Sequence, residues 1–187
     1  LGILTAGMGP ILPEFSANTG SNLAVVGGVY TALFLGALVA QIISGPLTDK
    51  LGQRVVLAVS LLIIAAGTAG MILSRSIWGL FIITFLTGLG HGAVDLSTNV
   101  MVSRTFTEKN ASTMNMLHFF FGLGAFIGPA LVSLMLRLFN QGILTLWLAA
   151  GMMVVLSVSV TRLENPPRVQ PANGGNGRFG FGRICKH

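Results

Sequence analysis

Along this chain the charged residues are so sparse that the gaps between them outline its elements. Residues 15 to 48, 55 to 74, 110 to 136 and 138 to 161 contain no Asp, Glu, Lys or Arg. Each stretch equals or exceeds the roughly 20 residues that carry an α-helix across a bilayer. A fifth stretch, 76 to 102, is interrupted only by Asp95. A barrel strand needs about ten residues with strict alternation, and these runs are longer and unalternated, so they read as helices. The pattern predicts helices over 1–13, 22–44, 55–73, 77–102, 112–136 and 143–160. The first is apolar but too short to span, with no initiator Met and no basic n-region. It is expected to be the second half of a helix that begins before Leu1.

Composition agrees with lipid as the solvent. Only 9% of the residues are charged, against about 25% in a soluble domain. With 52% hydrophobic residues and a mean hydropathy of +0.81, the chain has too little polar surface to coat a water-soluble globule. The net charge of +6 suggests nucleic acid until it is divided along the chain. Residues 1–164 hold seven basic and five acidic groups, or +2; residues 165–187 add Arg168, Arg178, Arg183 and Lys186, or +4. The basicity therefore belongs mostly to a tail rich in Gly, Asn and Pro, for which disorder is expected over 163–187. Its two Arg and two Phe in GRFGFGR are read as a spacer, and no nucleic-acid partner is expected. The single Cys185 permits no internal disulfide.

Lys and Arg in short loops set the expected orientation. Lys50, Arg54, Arg104, Lys109 and Arg162 follow the second, fourth and sixth helices, whereas the opposite loops hold only Arg75 and Arg137. That asymmetry puts the C-terminus in the cytoplasm, with the chain integral to a plasma or bacterial inner membrane.

The segment Gly45-Pro-Leu-Thr-Asp-Lys-Leu-Gly-Gln-Arg54 is expected as a loop between the second and third helices. Gly45 and Gly52 allow a tight turn, and Asp49, Lys50 and Arg54 cluster both charge signs at the membrane edge. An Asp there can attract the positive end of a helix or an Arg across the interface. The segment resembles the loop signature of the major facilitator superfamily, matching at Gly45, Asp49, Lys50, Gly52 and Arg54. Gln53 departs, because a basic residue is common there. The resemblance implies that Asp49 helps hold a cytoplasmic gate shut, with Arg104 as its partner.

In the fourth helix His91, Asp95 and Asn99 stand four residues apart and form one stripe about 12 Å long. A polar stripe at membrane depth is costly unless it faces the bundle interior or a water-filled cavity. In the fifth helix Asn115 and His118 share a face. Counted from the loop between the two helices, Asp95 and His118 both lie about 12 Å deep. They are expected to hydrogen-bond or to face a common cavity. An intramembrane Asp can be protonated on one side and deprotonated on the other, a nearby His can share the proton, and Asn can serve sugar hydroxyls. The bland alternative is that the His and Asn residues are interhelical glue, each contributing under about 1 kcal/mol. No metal-ligand spacing and no nucleophile constellation supports a metal site or an enzyme. No cofactor is expected; the coupling ion would be H+, with Na+ the alternative.

Leu35-Gly36-Ala37 and Leu123-Gly124-Ala125 recur in the second and fifth helices, which fits an inverted 3+3 repeat. Gly124-x-x-x-Gly128-Pro129 is similar to the antiporter motif of drug-efflux members, but Val132 and Ser133 replace the paired Gly, which counts against efflux. Gly88, Gly90, Gly92, Asp95 and Asn99, followed by Asn115, His118, Phe121 and Gly124 through Pro129, resemble the fucose-galactose-hexose proton symporters and the sodium-dependent glucose transporter group. That resemblance covers residues 1 to about 162. It implies an all-α polytopic fold: a six-helix half of a twelve-helix transporter, with its first helix truncated. It also implies a carboxylate, here Asp95, that couples an ion to a sugar. Such a half would need a C-terminal half or a second chain to enclose its small-molecule substrate. The competing readings are organic-solute efflux and a membrane interaction fragment that does not transport.

Overall fold

The computed structural model describes residues 1–162, and the expectation about the tail lies outside them. Seven helices occur among the described residues: α1 (Gly2–Thr19), α2 (Leu23–Val26), α3 (Val29–Leu51), α4 (Gln53–Leu73), α5 (Ile77–Thr105), α6 (Asn110–Phe139) and α7 (Leu144–Thr161). Five segments are long and apolar enough to cross a membrane: Leu23–Leu51, Gln53–Leu73, Ile77–Thr105, Asn110–Phe139 and Leu144–Thr161. In hydrocarbon every backbone amide must be satisfied within its own segment, so long apolar runs become helices whatever their local propensities.

Three boundaries depart from the charge pattern. The first helix does not stop at Pro13. It carries Pro10 and Pro13 inside it and ends at Gly20, whose φ of 63° supplies the left-handed cap. The second helix is split. Asn22 caps a short turn by accepting from the Ala24 amide at 2.8 Å, and the chain resumes as α3 after Gly27 and Gly28. Finally, the segment expected as a loop after Ser44 is helical through Pro46 to Leu51. The whole turn between α3 and α4 is Gly52, at φ 86° and ψ 149°, a conformation open to glycine and strained for other residues.

Packing is organised by two crossings, α3 on α5 and α1 on α6, with α4 filling the space between α5 and α7. Lipid tails are as apolar as Leu, so helices gain little by hiding apolar surface from them and associate through close van der Waals contact. Glycine permits that approach. A Cβ on Gly36 would overlap the Phe85 carbonyl oxygen, and one on Gly88 or Gly92 would overlap the Leu33 or Ala37 carbonyl. Leu33, Ile64, Met71 and Leu80 fill one part of the core; Met8, Ile11, Phe15, Val132 and Leu146 fill another. Some buried hydroxyls bond within their own helices, as Thr68 does to the Ile64 carbonyl and Thr84 to the Leu80 carbonyl, and Ser157 bonds across helices to the Ala58 carbonyl at 2.8 Å.

Candidate functional site

A cavity of about 510 Å³ lies where the start of α1 meets α5 and α6. Leu1, Gly2 and Ile3 wall it on one side, Val94, Asp95 and Thr98 on the second, and Leu117, His118, Phe120, Phe121 and Gly124 on the third. Asp95 and His118 thus share one cavity. Among the described residues no hydrogen bond joins them, so of the two arrangements expected from the sequence the structure has the shared cavity. Its size falls within the range of about 300–1,000 Å³ typical of small-molecule sites. Two aromatic rings, Phe120 and Phe121, line it together with a carboxylate and an imidazole. Such a site can stack an apolar ring face and hydrogen-bond the hydroxyl groups at its edge.

The rest of the polar stripe does not gather here. His91 is buried, and its Nε2 lies 3.1 Å from the Thr5 hydroxyl, which ties α5 to α1 behind the cavity wall. The Thr5 carbonyl accepts from the Tyr30 hydroxyl at 3.2 Å, bringing α3 into the same cluster. Asn99 is half-buried, with its Oδ1 enclosed and unpartnered, and it does not line the cavity. Asn115 is exposed and also off the cavity lining. Asn99 and Asn115 therefore stay off the cavity; sharing a helix face with Asp95 or His118 does not bring them to it, because α5 and α6 touch only lightly.

At the Lys50 end, Arg104 Nη2 lies 4.0 Å from Asp49 Oδ1, both side chains substantially exposed. An exposed pair at that distance contributes at most about 1 kcal/mol, so it can close and open readily. A small cavity of about 110 Å³ beneath it is lined by Gly45, Thr48, Asp49, Ser97 and Arg104 among others. Gln53, the departure from the family signature, is buried, and its Nε2 donates to the Ser97 carbonyl. A neutral amide can cross-link α4 to α5 in that enclosed position, where a lysine or arginine would need a buried counter-charge. Gly45, Lys50 and Arg54 stand on the same α3–α4 corner, with Gly52 as its joint.

Several contributors escaped the sequence reading. Glu14, on the part of α1 beyond Pro13, accepts from the backbone amides of Gly142 at 2.6 Å and Ile143 at 3.1 Å. It caps the start of α7, where the local sequence supplies no side-chain cap. The signal was that missing cap: a helix opening at Asn-Gln-Gly-Ile-Leu has no Ser, Thr or Asp in position, so an acceptor must come from elsewhere. Thr5 and Tyr30 carried no comparable signal, since a lone hydroxyl in an apolar run most often bonds its own helix.

The fold is polytopic and helical, with a cavity walled by α1, α5 and α6 and an Asp–Arg corner at one end of the bundle. The family model of the Major Facilitator Superfamily matches residues 1–184, and the chain belongs to that family. It is similar to the sodium-dependent glucose transporter 1 of Homo sapiens, 30% identical over 73% of this chain and 26% of the human protein. The protein of the same name from Rattus norvegicus is 29% identical over 72% of this chain and 28% of its own length. The 4-hydroxybenzoate transporter PcaK of Acinetobacter baylyi is 30% identical over 74% of this chain and 31% of its length. The chain therefore spans about a third or less of the curated relatives it matches. It is an integral membrane protein, and these relatives carry the names of transporters.

Proposed function

We propose that this chain forms the N-terminal half of a secondary transporter that takes up a sugar, or a similar small polar solute, together with a proton by alternating access. The observation that carries the proposal is the common cavity of Asp95 and His118. A carboxylate and an imidazole on one solute-sized cavity at membrane depth can bind and release a proton as exposure alternates, and each can hydrogen-bond a hydroxylated solute. His91, bound to Thr5, holds α1 against α5 and so sets the width of the site. Substrate would lie between this half and a second one, with the halves rocking about it. The Asp49–Arg104 pair would close the cytoplasmic side. The membrane would be the plasma or bacterial inner membrane, with the C-terminus in the cytoplasm, as the Lys and Arg distribution favours.

A second reading, uptake of an aromatic acid, draws on Phe120 and Phe121 in the cavity wall and on the name of the Acinetobacter baylyi relative. It is less favoured, because an ionised Asp95 would repel a carboxylate and the described spans hold no Lys or Arg at that depth. The efflux reading loses further ground because Val132, one of the positions where paired glycine would stand, is a fully buried packing residue.

The test is uptake and counterflow of labelled hexoses in vesicles containing the complete protein. Asp95→Asn is expected to abolish uptake driven by a pH gradient while counterflow, which needs no net proton movement, persists. Gradient-driven uptake unaffected by Asp95→Asn would remove the coupling role. Uptake that follows a sodium gradient instead would assign the ion to Na+, and competition by 4-hydroxybenzoate but not by hexoses would favour the second reading.

A further inference from the structure

A second groove, of about 240 Å³, lies between α3, α4 and α5, away from the Asp95 cavity. Its lining is almost wholly aliphatic, including Ile43, Leu47 and Leu51 from α3, Val55 and Val59 from α4, and Ala93 from α5. It is smaller than the usual small-molecule site of about 300 Å³ or more, and it offers a polar solute almost nothing to bind. Two of the lining residues have basic neighbours in the chain: Lys50 directly precedes Leu51, and Arg54 directly precedes Val55. Among the described residues neither is in an ion pair, because the nearby Asp49 faces Arg104. The amide end of α4, with no side-chain cap, begins at Gln53 between them and adds its own positive potential.

We propose that this groove is a site for an anionic phospholipid, with one acyl chain along the aliphatic lining and the headgroup phosphate at Lys50 and Arg54. The long unbranched chain matches a narrow groove without hydrogen-bonding groups, and the phosphate matches two unpaired cations at the membrane surface. The occupant grips α3 and α4 on both sides of the Gly52 joint, next to the Asp49–Arg104 pair. On the proposed function, it would therefore act on the corner that carries the Asp49–Arg104 gate.

The experiment is native mass spectrometry of the complete protein, delipidated in detergent and resupplied with defined lipids. Each basic residue at an anionic surface is worth a factor of about five. Dioleoyl phosphatidylglycerol is expected to be retained about ten-fold or more over dioleoyl phosphatidylcholine. The double variant Lys50→Gln with Arg54→Gln should lose that preference, while the charge-keeping pair Lys50→Arg with Arg54→Lys retains it. Dihexanoyl phosphatidylglycerol, with the same headgroup and short chains, should be held at least ten-fold less well. Equal retention of the two dioleoyl lipids, a preference that survives in the double Gln variant or disappears in the charge-keeping one, or equal retention of the short-chain lipid would each overturn the proposal.

Discussion

The α3–α5 crossing and the α1–α6 crossing are built by the same device and end in opposite environments. Each uses a Leu-Gly-Ala triplet. Gly36 of Leu35-Gly36-Ala37 sits against the Phe85 carbonyl and Gly88 of α5, and Gly124 of Leu123-Gly124-Ala125 sits against Gly2 and Ile3 of α1. The second helix of each three-helix unit thus lies on the first helix of the other, as an inverted repeat requires. Around the first crossing, α4 packs along α5, and α5 buries ten residues from Leu80 to Ser97. Around the second there is no such cover: α6 buries only Gly128 and Val132, and Phe126 is 81% exposed. The difference teaches where a site can form. Where α4 backs the crossing, α5 becomes core; where α6 has no such backing, there is room for the cavity of Asp95 and His118.

The two triplets can be set against each other directly. Gly36→Ala drives a methyl into a backbone carbonyl that cannot move, and should cost about 3 kcal/mol, the upper end of overpacking. Gly124→Ala meets the Ile3 amide at 3.2 Å and a flexible Ile3 side-chain carbon at 3.5 Å, so less than about 1 kcal/mol is expected. Unfolding in a graded detergent titration would measure both; equal losses would dissolve the distinction between a backed and an unbacked crossing.

Polar ties do on the α1 side what packing does on the α5 side. Glu14→Ala removes two charge-assisted bonds from the Gly142 and Ile143 amides just ahead of α7 and should lower stability by about 2 kcal/mol. The same titration checks this, and an unchanged midpoint would mean that solvent caps α7 equally well. Thr5→Val, which frees His91, is expected to cost about 0.6 kcal/mol, the average for an interhelical bond in a membrane. Its larger signature should be a raised KM for transport with kcat little altered, since it loosens the wall of the site without touching Asp95. Smallest of all, Asp49→Asn should change stability by less than about 0.5 kcal/mol, because the pair it breaks is long and exposed. Accessibility of the Gly45–Arg54 corner to thiol reagents at an introduced cysteine should nevertheless rise if the pair holds that side closed.

Much of this architecture could be read from the chain. Gaps between charges located every span, because in hydrocarbon a helix is a local solution that needs no partner to satisfy its amides. Asp95 could be singled out for the same reason: an acid in such a run has to meet either water or a partner. Its sharing of a cavity with His118 followed from counting depth along two neighbouring helices. The gate segment was recognisable by its residues, but its helical form was not, since Pro46 and Gly45 argue for a loop while the helix runs through them to Leu51.

Other features depended on how the segments meet. Whether Asn99, Asn115 and His91 face the cavity turns on the rotation and divergence of α5 and α6, which no periodicity within one helix contains. Glu14 became a cap because α1 continues past two prolines to reach α7, 128 residues away in sequence. Gln53 became a cross-link because α4 begins beside the Ser97 carbonyl. Helix formation in lipid is decided segment by segment, so the residue order sufficed for it; the choice of which side chain meets which is decided by close packing between segments, and only the assembled bundle holds that information.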